Sequence, residues 1–339
     1  MNNAGSFQLG NIVNQSAAKA ILAILALVLG LSAWASPGTG LDEQMTELEQ
    51  ARDWEGMQAR MTQASADELA TEDGWLWRVT MAMMADEIDQ GEALLADALE
   101  QFPNSSRLVL LESGLMLRGF NDVGAVGAMR LARRIRRGLE RAVELDPESA
   151  TARTGLIQYY LNAPRVAGGG AGRAESHFDA LKSMSLPDYY ALRATQSAVD
   201  DDWDDAVSWM MHAFNEDPTD GRAVSLGSTL LAAGRYDEAR ERFAAVVAES
   251  PLHGGAWYQL GRLSVLAEAW LDEGRGAFET FLSLPRWPND PSPAAAWWRL
   301  GQIEMLADAP ALARAAFEQS LVLDPDFSPA EQALAELDG

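Results

Sequence analysis

From about residue 41 onward, apolar side chains recur at every third or fourth position, and polar residues fill the intervals. That is the period of helices with one face buried. Leu108, Leu111 and Leu115 share one face, as do Ala206, Met210 and Ala213. Leu131, Ile135, Leu139, Ala142 and Val143 lie opposite a row of arginines. The bias towards Ala, Leu, Glu and Arg favours helix, and the sparse Val and Ile argue against a large sheet. Glycine and proline punctuate the pattern at residues 162–170 and again at 286–296, where Pro288, Pro291 and Pro293 fall. The expected class is all-α.

The N-terminus follows a different rule. Residues 1–19 hold no acid and one base, Lys19, and residues 20–31 form an unbroken apolar run. Ala33 and Ala35 then stand in an A-x-A arrangement before Ser36 and Pro37. This order reads as a Sec-type signal peptide over residues 1–35, cleaved after Ala35. The run is shorter than the roughly 20 apolar residues of a membrane span. The alternative is an uncleaved inner-membrane anchor with the chain facing the periplasm, the one case in which the membrane is a partner. Either way the remainder is expected to be periplasmic. Residues 36–40 read as a linker.

Spacing organises the rest. Trp297, Leu300, Gly301, Ala313, Phe317 and Pro325 form a W-x-x-L-G…A…F…P series. The same 28-residue step links Trp75 to Pro103, Tyr190 to Pro218, Ala223 to Pro251 and Trp257 to Pro285. Leu226, Gly227, Ala239 and Phe243 fill the internal positions of one unit, while Phe278 sits one place late in the next. From about residue 41 to its end, the chain resembles the tetratricopeptide-repeat (TPR) family of exported bacterial type. The resemblance implies a right-handed α-solenoid of stacked helix-turn-helix repeats. It implies seven to eight units over residues 41–327, with insertions near 119–127, 162–170 and 286–296, and a capping helix over 328–339. Large side chains such as Trp257 and Trp297 would fill the space between paired helices, small ones would allow close approach, and proline would end the second helix. The resemblance also implies that the first helix of each pair lines a concave groove. The groove positions carry over to Thr80, Met83 and Met84, to Val109, Ser113 and Met116, and to Arg153 and Tyr160. Further along they are Tyr258 and Arg262, then Trp298, Gln302 and Met305. The Lys/Asn set that grips a terminal carboxylate in chaperone-binding TPR domains is not at these positions.

Charge narrows the partners. A net charge of −24 repels phosphate backbones, so nucleic acid is excluded as a partner class. With no cysteine, disulfides, zinc–thiolate sites and thiol nucleophiles are excluded. Lys19 and Lys182 are the only lysines. Against this background Arg130, Arg133, Arg134, Arg137 and Arg141 fall on one helical face. They offer either a surface for a carboxylate-rich partner or anionic headgroups, or a set of answers to acids on adjacent units. Asp200, Asp201, Asp202, Asp204 and Asp205 surround Trp203 where a turn is expected, and read as helix caps. His177, His212 and His253 fall in separate units, and neither H-E-x-x-H nor G-x-S-x-G occurs. No catalytic, metal or cofactor site is expected.

The functional expectation is a non-catalytic protein–protein interaction scaffold of the cell envelope. The alternative is an accessory subunit of an envelope transport or biogenesis machine, binding a small apolar ligand or a lipoprotein.

Overall fold

The computed structural model describes residues 40–118 and 124–338. The signal or anchor segment and residues 36–39 and 119–123 lie outside the described residues. Eighteen α-helices and no strand occur among those described.

Two compact units divide the chain, the first ending at Asp202 and the second running from Trp203. In the first are α1 (Gly40–Gln50), α2 (Trp54–Gln63), α3 (Ala66–Leu69), α4 (Glu72–Met84) and α5 (Ile88–Gln101). There follow α6 (Ser106–Arg118), α7 (Ala125–Leu145), α8 (Ala150–Asn162), α9 (Ala171–Met184) and α10 (Leu186–Val199), with a 3-10 turn at Arg165–Ala167. In the second are α11 (Trp203–Glu216), α12 (Asp220–Ala232), α13 (Tyr236–Glu249) and α14 (Gly254–Ala267). It is completed by α15 (Leu271–Ser283), α16 (Pro293–Leu306), α17 (Pro310–Leu323) and α18 (Ser328–Asp338). The division falls inside the interval that the spacing makes one repeat, Tyr190 to Pro218.

Helices pair as hairpins: α4 with α5, α6 with α7, α8 with α9, α12 with α13, α14 with α15 and α16 with α17. The second-unit hairpins share one close contact. Gly227 faces Phe243, Gly261 faces Phe278 and Gly301 faces Phe317, and each phenylalanine is at most 1% exposed. A Cβ on Gly227 or Gly261 would stand 2.6 Å from a ring carbon. Glycine is therefore what lets the two helices approach until the ring fills the gap. Trp257 and Trp297 contribute less than their size suggests, since both are only half-buried.

The closures at six helix ends also repeat. Arg52, Asp86, Asp201, Gly234, Glu268 and Asp308 each adopt a positive φ, between 50° and 74°. In each, that residue's N–H donates to the carbonyl three back and the next N–H to the carbonyl five back from the donor. At Asp86 the distances are 3.2 Å to Met83 O and 2.9 Å from Glu87 N to Ala82 O. This is a Schellman-type closure, which satisfies carbonyls left open at the helix end. After the left-handed Glu268 two residues rather than one precede the next helix, and the second of them, Trp270, is also at positive φ. That explains the late Phe278: the turn takes up the extra residue, and the ring still lands on Gly261.

The lengthening expected near 119–127 is partly helical. Ala125 already begins α7, which runs for 21 residues where α13 has 14. The loop expected at 162–170 folds back on α8. The Tyr159 hydroxyl lies 2.9 Å from both Ala132 O and Ala167 O, and Gly170 N donates to Tyr160 O at 2.7 Å.

Two outcomes test this reading. Gly261→Ala should lower unfolding stability by about 1–3 kcal/mol, because the Phe278 ring must move; chemical denaturation checks it. Burial raises the Glu49 carboxyl to about 7. A folded-state value above the unfolded one favours the neutral form, so its stabilising contribution is complete below about 4.5 and lost as pH rises through about 7. Glu49→Gln should flatten the pH dependence of the melting temperature across that window.

Candidate functional site

The first helices of the two units differ in what covers them. In the first unit, α4 packs against α1 and α3 as well as α5 and α6. Trp77 Nε1 donates to the buried Asp42 carboxylate of α1 at 2.8 Å. Met83 is 0% and Met84 4% exposed, and Thr80 is buried beside them. Met83 packs with Leu95, Ala98, Leu108 and Leu111 of α5 and α6, so these side chains, expected along a groove, are placed in the interior instead. Val109 and Ser113 on α6 are likewise buried.

On α8, ten consecutive residues are buried, Ala152 through Leu161. Arg153 and Tyr160 lie among them, so they too are corrected from surface to interior. Arg153 donates to Pro147 O at 2.6 Å and its other Nη is 3.4 Å from His177 Nδ1. Burial, then the Arg153 charge, lowers the His177 pKa, leaving a neutral ring to accept. The Tyr160 hydroxyl donates to Glu140 Oε1 at 2.9 Å, and Arg136 reaches the same oxygen at 2.8 Å. Burial and that carboxylate push the phenol up to about 12. These bonds hold α8 between α7 and α9.

Met116 is half-buried and lines a cleft of about 230 Å³ with Leu95, Leu99, Glu112 and Arg134, where α5, α6 and α7 meet. Two residues singled out on separate grounds, Met116 and Arg134, are thus brought together. Arg130, Arg133, Arg134, Arg137 and Arg141 are all exposed on α7, with Ile135, Leu139 and Ala142 buried opposite. Arg134 pairs with Glu112 at 3.1 Å and Arg141 with Glu144 at 3.5 Å.

In the second unit the first helices stay open. On α14 and α16, the residues Tyr258, Gln259, Arg262, Trp298, Arg299 and Gln302 are half-buried, and Met305 is exposed. Tyr258 stands edge-on to Phe278 and Phe281, at 5.5 and 5.6 Å between centroids, which anchors it to its own hairpin. Trp298 packs on Phe327 at 5.9 Å, with the Arg299 guanidinium 4.2 Å above its ring. Arg262 donates to Gln259 at 3.1 Å, and Arg299 to Gln302 at 2.9 Å. Neither arginine has a carboxylate partner among the described residues, and Arg299 Nε is buried with no hydrogen bond. Burial lowers the Arg262 pKa, and the Arg299 charge lowers it further. Two cations face one another on a helix pair inside a strongly acidic chain. Arg299 escaped the sequence reading, although it occupies the place in its helix that Gln259 has in α14 and so faces the same way.

The contrast lies one turn further along. Glu304 on α16 is 4% exposed and receives Arg275 of α15 at 2.6 Å. That hydrogen bond, with Asp272 beside it, raises the Arg275 pKa.

Residues 224–291 and 271–326 match the family model described as tetratricopeptide repeat. The matched region spans the hairpins α12–α13, α14–α15 and α16–α17, and hence Arg262 and Arg299. No curated protein matches the chain in sequence. Among solved TPR-like structures, a chain of the APC/C hetero-tetramer Cut9–Hcn1 is similar at 19% identity and TM-score 0.53. The match covers 86% of this chain and 52% of that one, so this protein spans about half its length. A tetratricopeptide repeat protein from Parabacteroides merdae is similar at 11% identity and TM-score 0.48, covering 79% of this chain and 99% of that one. Pseudomonas aeruginosa pilF gives 14% identity, TM-score 0.43, and coverage of 66% and 95%.

Two substitutions separate the roles. Glu304→Gln should cost about 2–4 kcal/mol, because it leaves the Arg275 charge without its buried partner. Arg299→Gln removes a repulsion and no ion pair, but also the stacking on Trp298 and the bond to Gln302, so unfolding stability should stay within about 1 kcal/mol of the parent. Parallel denaturation curves check both.

Proposed function

We propose that this protein is a non-catalytic interaction scaffold of the cell envelope that binds an acidic protein segment along α14 and α16. The observation that carries the reading is the Arg262–Arg299 pair, two desolvated cations on an open face with no internal carboxylate. A half-buried charge without a counterion is costly to keep, and a partner carboxylate would relieve both the repulsion and the missing hydrogen bonds. Aromatic, methionine and arginine side chains beside it, Tyr258, Trp298 and Met305, are of the kinds enriched at binding hot spots. The repeat family supports the scaffold class. The similar Cut9–Hcn1 chain belongs to a hetero-tetramer, which agrees with work in an assembly. The envelope setting is supported by the apolar run at 20–31 and by Ala33 and Ala35.

Affinity capture from an envelope extract tests it, with the chain compared against its Arg262→Gln/Arg299→Gln variant. A protein retained by the first and lost by the second is the expected result. Equal capture by both, or a small apolar molecule carried through native mass spectrometry in place of a protein, would overturn it. For the exported form, N-terminal sequencing of the expressed protein should begin at Ser36.

A further inference from the structure

The lengthened helix of the first unit carries a second anomaly of charge. Arg130, Arg133 and Arg137 project from one face of α7, all exposed, and none forms an ion pair among the described residues. The loop after α8 adds to them. The Tyr159 hydroxyl ties Ala167 of that loop to Ala132 of α7, and Arg136, Arg133 and Arg173 all bear electrostatically on it. Arg136 Nε and Arg173 Nη1 lie 2.9 and 3.4 Å from the point where a Cβ on Gly168 would stand. Arg173 is exposed without an ion pair, and Arg136 Nε is buried without a hydrogen-bond partner. In a chain with 50 acids against 26 lysines and arginines, four exposed guanidinium groups without a carboxylate among the described residues thus gather at α7 and the loop beside it.

We propose that this face of α7, extended by Arg173, is a docking surface for a carboxylate-rich, extended segment of a partner protein. The proposal rests on the scaffold reading but uses a different surface. The spacing suits such a segment. Successive arginines on the face are about 4.5–6 Å apart along the helix axis. Alternate side chains of an extended chain point the same way about 6.5–7 Å apart. A carboxylate at every second residue can therefore reach one guanidinium each, in the two-pronged geometry that arginine offers. An extended anionic plane such as a lipid surface fits less well. Glu140 and Glu144 stand within the same helix, Glu112 lies against Arg134, and the net charge of −24 opposes close approach to such a plane.

The test uses the full chain carrying Arg262→Gln/Arg299→Gln, so that only the α7 surface is read. The probe is a fluorescein-labelled peptide of alternating Glu and Ser, with alternating Gln and Ser as control. Fluorescence anisotropy should show binding of the acidic peptide that weakens with salt. Adding Arg130→Gln, Arg133→Gln and Arg137→Gln should weaken it by about tenfold or more and flatten the salt dependence. These side chains are exposed, and an unchanged circular dichroism melt confirms that the fold is intact. The proposal is overturned if the three added substitutions leave affinity unchanged, or if the parent binds no acidic peptide. It is also overturned if the parent prefers vesicles of phosphatidylcholine and phosphatidylglycerol to the peptide. Comparing the parent with the unsubstituted chain reports separately on Arg262 and Arg299, so either surface can fail alone.

Discussion

The second unit depends on a glycine pressed against a phenylalanine. Where Gly227, Gly261 and Gly301 replace a side chain with space, the paired helices close until a ring from the second helix occupies it. Each ring is then almost wholly dry, which removes its apolar area from water, and its position sets the distance between the helices. The aromatic residues at the head of each repeat, Trp257 and Trp297, are larger but half-exposed, and so contribute less per atom. The contact is local in sequence, sixteen or seventeen residues apart, so each hairpin can form it without the others.

That locality is why the hairpins could be read from the chain and the site only in part. Leu, Gly, Ala, Phe and Pro at fixed spacing encode contacts within one hairpin, and nothing distant intervenes. Exposure is different, because it depends on what else lies on the face. Met83 and Met84 occupy groove positions by spacing, yet Met83 packs into the core shared by α4, α5 and α6, and Met84 is buried beside it. Arg153 and Tyr160 are enclosed because α8 is packed on several sides and the loop after it folds back through Tyr159 and Gly170. The spacing fixes which residues share a hairpin, but not which of their faces a neighbouring helix or loop covers. Arg262 was legible from its position, but its neighbour Arg299 required two helices to be set side by side.

Most arginines near acids are answered. Arg275 meets Glu304, Arg240 meets Glu273 and Arg193 meets Glu175, and the last two link different helices through exposed or half-exposed pairs of small energetic weight. Among the arginines without an ion pair in the described residues, two groups are clustered: Arg262 with Arg299 on one unit, and the α7 face with Arg173 on the other. An acidic surface that leaves clusters of cations bare directs association by where attraction survives rather than by total charge.

The turn between α14 and α15 has a further consequence. By taking up one residue at Glu268–Trp270 through two left-handed conformations, it keeps Phe278 in place on Gly261. Insertion at that corner therefore does not rotate the helix beyond it, as an added residue within α15 would, by about 100°. Drift in length is confined to the connecting bend. The surfaces on either side are free to diverge in side-chain chemistry while the spacing between neighbouring helices is conserved by geometry alone.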